Sequence, residues 1–352
     1  MLRTIRNFKP FSSAIEAVYL VEASPSLREA QHKLLCGDKP LEEIDIGHRS
    51  LSKYTDDLRI IWCEDIRFVP KESTKTPFIV AHEFFDALPI HVFQSVPPAS
   101  PSEIKTPTGS HPVSASALRT AQTNQWRELL VSPTSPYAIS KPENPSGPAP
   151  EFELTLAKAS TPNSLYLPEL SNRYRAVKSI NDALVEISPE SQEYAADFAV
   201  RIGGGVAQSP APVFTSPSRS SPSSTPAVIS GASSEPQSVR PVRSAAKPEV
   251  IEKPTPSGAA LILDYGSASS IPTNSLRGIK AHTRVSPFSE PGLVDISADV
   301  DFLALAESAI NASLGVEVHG PVDQARFLTS MGIQERAAQL VKRVVDVERG
   351  AT

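Results

Sequence analysis

Residues 78–89 read FIVAHEFFDALP, and the groups able to do chemistry here stand where a strand gives out. The β-branched pair Ile79–Val80 stops at His82–Glu83 and runs on into two phenylalanines, Asp86 and Pro89. In an open α/β sheet, ligands gather just past the carboxyl ends of the strands, so a strand closing on polar and acidic groups reads as the rim of a site. The same ending recurs in VYLVEAS (18–24), which closes on Glu22, and in AALILDYG (259–266), which closes on Asp264 and Tyr265. A carboxylate in the place of Glu22 can accept both hydroxyl hydrogens of a ribose, as in dinucleotide and adenosyl cofactor sites. The alternative is a solvated acid favoured by the dipole of the next helix. Asp65, just after LRIIWCE, could accept from an adenine amino group or be an ordinary loop acid. Glu83 and Asp86 lie three apart and share a face if Phe84–Leu88 is helical. Two carboxylates there could grip a guanidinium through charge-assisted bonds; otherwise they cap a helix whose Phe84 and Phe85 enter the core. His82 offers an imidazole that titrates near neutrality, or is simply a hydrogen-bonded residue at a strand end.

The elements that must carry these groups alternate. Leu2, Ile5 and Phe8 have helical spacing. The strand at 18–24 leads to Ser24 as a helix cap, Pro25 in its first turn and Gly37 at its end. LRIIWC (58–63) and the strand at 78–82 follow. His91–Gln94 and Trp126–Val131 read as two arms of a hairpin, FELTLA (152–157) as a further strand, and Ser188–Pro189 as the start of a helix running to about Ile202 that Gly203 ends. After AALILDYG the spacing predicts a helix over 300–311 capped by Asp299 or Ser297, a strand at 316–320, and helices near 323–330 and 333–348. Strand–helix alternation of this kind predicts a mainly parallel sheet with helices on both faces.

Composition sets the limits. The chain has 352 residues, 40% of them hydrophobic, with 34 prolines that cluster. Residues 203–258 carry many serines and prolines and few large apolar groups, a composition that leaves a segment unpacked. A net charge of −5 argues against nucleic acid as partner. No stretch approaches the roughly twenty apolar residues of a membrane span. The two cysteines and seven histidines show no metal-ligand spacing. Gly203–Gly205 follows a helix, so it reads as a helix stop and not as a phosphate loop. Arg3, Arg6 and Lys9 give the start of the chain the look of a transit peptide, or of a basic helix.

With AHEFFDALP, ILDYG, LRGIKAH (276–282), PGLVDISADVDF (291–302), LVEISPES (184–191) and GPVDQARFLTSMGI (320–333) together, the chain resembles the MidA-like family of S-adenosylmethionine-dependent methyltransferases, the mitochondrial complex I assembly factor seven group. The resemblance implies an α/β, Rossmann-like methyltransferase sheet with long disordered inserts. It implies S-adenosylmethionine as cofactor, arginine N-methylation of a complex I core subunit, and a mitochondrial site of action, and leaves a homodimer open. Carried over residue by residue, Glu22 matches the ribose-binding acid, and Asp65 and Ile66 match the adenine-side segment. His82 lies on the cofactor side of the post-strand motif, where the family usually has Asn. Glu83 and Asp86 are the catalytic pair of that motif, and Asp264 and Tyr265 lie on the substrate side. The family's ELGPGRG-type loop has no counterpart here; Met1–Lys9 matches the helix that follows it. The sheet is thus expected to be N-terminally truncated, with weak cofactor binding. The implied organisation is a cofactor-side part at 1–94, a Pro/Ser-rich insert at 95–122, a substrate-side hairpin and helices at 123–202, a disordered linker at 203–258 and the rest of the domain at 259–352. The alternatives are a non-catalytic assembly or binding protein and, last, a nicotinamide dehydrogenase, which also places acids at strand ends.

Overall fold

The computed structural model describes residues 2–55, 57–98, 104–106, 109–111, 123–134, 151–206 and 250–350. They fall into two units, Met1–Glu72 and Ser73–Thr352.

The first unit begins with two single-turn helices, α1 (Leu2–Ile5) and α2 (Lys9–Ser12). Strand β1 (Ala17–Val21) leads to α3 (Pro25–Cys36). The Ser24 hydroxyl accepts the Leu27 amide at 3.3 Å and Gly37 closes the helix at φ 69°, as the capping residues require. Strands β2 (Glu42–Ile44), β3 (Gly47–Leu51) and β4 (Arg59–Cys63) complete a sheet of order β1-β4-β3-β2. Strand β4 is central and buried from Ile60 to Cys63, so its sequence is a continuous apolar run. Ile60, Trp62, Leu58 and Cys36 form the core. The hairpin β2–β3 is not evident from sequence. Its key is Gly47, at φ 141°, where a Cβ would lie 2.0 Å from the Trp62 carbonyl oxygen.

In the second unit β5 (Phe78–His82) pairs in parallel with β14 (Ala259–Leu263). The expected hairpin arms are β6 (His91–Val96) and β9 (Gln125–Pro133), in a sheet of order β10-β9-β6-β11 with β10 (Phe152–Leu156) and β11 (Leu184–Ile187). Phe93, Trp126, Tyr174, Val185 and Ile187 pack together. Short helices α4 (Pro162–Tyr166) and α5 (Asn172–Val177) precede β11, and Ser188 caps α6 (Pro189–Gly203). Strands β7 (Ile104–Thr106) and β8 (Gly109–His111) form a small pair. Strands β15 (Arg277–Lys280), β16 (Thr283–Val285) and β17 (Asp295–Ser297) form another sheet. Helices α7 (Phe302–Ala312), α8 (Gln324–Ser330) and α9 (Ile333–Gly350) end the chain.

Four expectations change. Among the described residues only β1–β4 and β5–β14 pair in parallel; the other pairings are antiparallel, several of them between strands joined by connections too short for a crossover. The cap of α7 is Asp301, whose carboxylate accepts the Ala304 amide at 3.1 Å; Asp299 and Ser297 are engaged elsewhere. No strand forms at 316–320, where Val316 packs on the cluster of Ala199, Val200, Ile251 and Ala312. The segment 203–258 is ordered at both ends: β12 (Gly205–Val206) pairs with β13 (Val250–Ile251), and Lys253 Nζ donates to the carbonyls of Arg201 and Ser257 at 2.9 Å each. Residues 207–249, and most of 95–122, lie outside the described residues. Among the described residues no helix is long and apolar enough to cross a membrane.

Candidate functional site

In the second unit the β5–β14 pair delivers its two acid-ended strands side by side, with Leu263 opposite His82. The ladder runs one bond further, from the Glu83 amide to the Leu263 carbonyl at 2.9 Å. Glu83 then takes φ 47°, a left-handed conformation that costs a non-glycine residue on the order of 1–3 kcal/mol. Residues 84–88 form a turn, not a helix. Phe84 and Phe85 anchor it, edge-on against Tyr194 at 4.9 Å and Phe198 at 6.0 Å. The Asp264 carboxylate faces the turn: Oδ2 accepts the amides of Phe84 (3.1 Å), Phe85 (2.8 Å) and Asp86 (3.4 Å), and Oδ1 accepts the Tyr265 amide at 2.8 Å.

Because the segment is a turn, Glu83 and Asp86 do not share a helix face. The Tyr265 hydroxyl donates to Glu83 Oε1 at 3.2 Å, which holds the phenol's proton and raises its pKa. Asp86 Oδ2 accepts the Ser297 hydroxyl at 2.9 Å. Burial pushes the Asp86 carboxyl above the usual carboxylate range; the Ser297 bond and Arg277 oppose this, and the negative charges of Asp264 and Glu83 add to it. His82 and Glu83 are both open to solvent, with His82 Nε2 3.9 Å from Glu83 Oε1.

Three further residues belong to this constellation, Arg277, Asp299 and Ser275, of which the sequence offered only Asp299, and that as a helix cap. The Arg277 guanidinium lies 5.7 Å from the centre of the Tyr265 ring and donates to Asp299 Oδ1 at 2.6 Å. Asp299 is itself positioned by Ser275, whose hydroxyl accepts the Asp299 amide at 2.8 Å and donates to the buried Glu186. The signal was present in the motifs LRGIKAH and SADVDF, which carry Arg277 and Asp299 without showing that they converge on Tyr265. Gly266 permits that convergence: at φ 153° its Cβ would lie 2.4 Å from the Val300 carbonyl oxygen.

In the first unit, Glu22 Oε1 accepts the Ser24 amide at 2.9 Å and Oε2 accepts Gln31 Nε2 at 3.0 Å. Gln31 Oε1 in turn takes the Trp62 indole N–H at 3.0 Å, so the carboxylate is fixed from below. Each Glu22 oxygen keeps a second lone pair, which fits a ribose diol. Asp65 differs. It caps the 3₁₀ turn Ile66–Phe68, Oδ1 accepting the Arg67 amide and Oδ2 its guanidinium, both at 2.8 Å. The guanidinium bond, foremost, holds Asp65 below the usual carboxylate range. Its carboxylate is thus engaged within the chain.

Among the described residues the four strands that pair in parallel each run out into an acidic residue, Glu22, Glu64, Glu83 and Asp264. Residues 1–322 match the family described as "Putative S-adenosyl-L-methionine-dependent methyltransferase", and the chain belongs to that family. Among curated relatives it is 27% identical over 352 residues to the Bos taurus protein arginine methyltransferase NDUFAF7, mitochondrial, covering 97% of this chain and 55% of that protein. It is 26% identical to the Homo sapiens protein of the same name, covering 96% and 55%. The Drosophila melanogaster homologue is 23% identical, with 97% and 56% covered. The chain therefore spans just over half the length of these relatives. A Burkholderia thailandensis structure described as a "likely methyl transferase", bound to S-adenosyl-homocysteine, is 16% identical, covers 92% of this chain and 55% of that one, and has a TM-score of 0.47.

Proposed function

We propose that this chain serves an S-adenosylmethionine-dependent protein arginine N-methyltransferase of mitochondria, whose target is a core subunit of respiratory complex I and whose action supports assembly of that complex. The observation that carries the reading is the family match over residues 1–322. Relatives named protein arginine methyltransferase support the choice of acceptor, and the assembly-factor resemblance of the motifs supports the choice of target.

The cofactor supplies, when bound, a methyl group on a positively charged sulfur; the chain's residues bind and orient. Glu22 holds the ribose hydroxyls with its two free lone pairs, and the backbone at Asp65–Ile66 faces the adenine. His82 stands on the cofactor side of the post-strand turn. Glu83 pairs with the acceptor guanidinium through charge-assisted bonds, concentrating its positive charge on the paired nitrogens and leaving the third better able to attack. On taking the methyl group, with the cofactor left as the neutral thioether, the methylated guanidinium nitrogen would lose its proton to solvent, to which Glu83 and His82 are open. Asp86, tied to Ser297, orders the turn. The task is positioning and electrostatics, which can supply most of such a barrier reduction.

The test uses the endogenously tagged protein, incubated with methyl-tritiated S-adenosylmethionine and complex I subunits, followed by acid hydrolysis. Label in methylarginine is expected. Label in methyllysine refutes the acceptor, and no label favours the non-catalytic assembly protein.

A further inference from the structure

Glu83 stands at a left-handed backbone position on a turn that no helix stiffens, so something else must hold it. The Asp264 carboxylate gathers the amides of Phe84, Phe85 and Asp86 on one oxygen and that of Tyr265 on the other. Each carboxylate oxygen offers about two acceptor sites; the three turn amides take up Oδ2, while Oδ1 holds the Tyr265 amide and keeps one site. The position of Asp264 in the ILDYG strand end suggests a substrate contact, but its bonds all run to the chain's own backbone.

We propose that Asp264 is a positioning residue: it clamps the 83–86 turn to the end of β14 and thereby fixes the direction in which Glu83 presents its carboxylate. The clamp joins the two strands that the site depends on. Its donors come from the residues after β5, its acceptor from the residue after β14, and the Glu83 amide bond to Leu263 starts the same junction. Tyr265, one residue further on, takes up Glu83 Oε1 through its hydroxyl, so both ends of Glu83 are set by the 263–265 segment. The catalytic part of this proposal rests on the methyltransferase reading above; the clamp itself does not.

Two measurements separate them. Hydrogen exchange followed by NMR on the unaltered protein should show the amides of Phe84, Phe85 and Asp86 protected like those of β5, where turn amides open to solvent would exchange freely. In Asp264→Leu, which keeps a side chain of similar size and removes both acceptors, their exchange should speed up at least about tenfold, with β5 unchanged. Methyl transfer at saturating substrate should fall by about a hundredfold, the scale of a small misplacement of a reacting group, while S-adenosylmethionine affinity stays within about twofold. Unprotected turn amides in the unaltered protein overturn the clamp even if the variant does not fold. Lost protection with unchanged transfer overturns the positioning role. If the unaltered protein fails to methylate arginine, the methyltransferase reading falls, and the exchange data still decide the clamp.

Discussion

Replacing Asp301 should expose how one carboxylate secures the end of the PGLVDISADVDF segment. Asp301 Oδ1 and Oδ2 receive Arg173 Nη1 at 2.9 and 3.1 Å, Oδ2 receives the Tyr174 hydroxyl at 3.0 Å, and Oδ1 caps α7 through the Ala304 amide. The side chains of Arg173 and Asp301 are 21% and 10% exposed, so the pair is mostly out of water. Burial, then the charge of Asp301, raises the Tyr174 phenol and keeps its proton for this bond. Asp301→Ala strands the Arg173 cation, whose Nη2 is already buried without a protein acceptor, and orphans a phenol that is 2% exposed. Breaking a buried ion pair from one side costs about 3–5 kcal/mol, and losing a helix cap about 1 kcal/mol. One carboxylate serves both roles, so the costs overlap, and about 4–5 kcal/mol is expected for the alanine variant. Asp301→Asn, which keeps the cap and one acceptor, should cost about 2–3 kcal/mol by the same reasoning. The decisive variant is Arg173→Met combined with Asp301→Ala. With the stranded charge gone, it should be more stable than Asp301→Ala alone by about 2 kcal/mol or more. Urea unfolding followed by the fluorescence of Trp126, which packs in the same cluster as Tyr174, reads all three. A loss below about 1.5 kcal/mol for Asp301→Ala, or a double variant less stable than the single, would refute the reasoning.

The remaining expectations concern the acids of the second unit. Glu83→Gln keeps shape and removes charge, so it should lower methyl transfer by about a hundredfold or more at unchanged cofactor affinity; transfer at the parent rate would reduce Glu83 to a loop acid. Burial alone would raise the Glu128 carboxyl, but bonds from Thr161, His91 and Asn163 outweigh it and leave it depressed. A depressed carboxyl contributes stability above the ordinary carboxylate pKa of about 4.3 and loses it as pH falls through the folded value. Thermal midpoints between pH 7 and pH 3 should therefore fall less steeply in Glu128→Gln than in the parent, and parallel curves would refute this. Asp86 has the opposite sign: its carboxyl is raised, so the folded state binds the proton more tightly and the charged form costs stability above the ordinary carboxylate pKa. Asp86→Asn keeps an acceptor for Ser297 and should melt higher than the parent at pH 7, with the gap closing by about pH 4; a gap that widens in acid would count against it.

Local rules carried much of this protein. Ser24, Pro25 and Gly37 set the limits of α3, and Ser188 and Pro189 the start of α6, because a cap is a bond between neighbours in sequence. The apolar runs of β1, β4, β5 and β14, and the acids that end them, were likewise legible. Where local choices were close, the fold decided. Asp299, Ser297 and Asp301 are all plausible caps by type, yet Arg277 engages the first, Asp86 the second, and only Asp301 is left to bond Ala304. Phe84–Leu88 could form a helix or a loop; Asp264, some 180 residues away in sequence, gathers its amides and makes it a turn. Glu83 and Asp86, three apart in the chain, are thereby sent to different partners, while Arg277 and Tyr265 are brought together. The chain's periodicity fixes which face of an element is apolar. Which carboxylate meets which donor depends on strands pairing across long loops, and that pairing exists only in the tertiary structure.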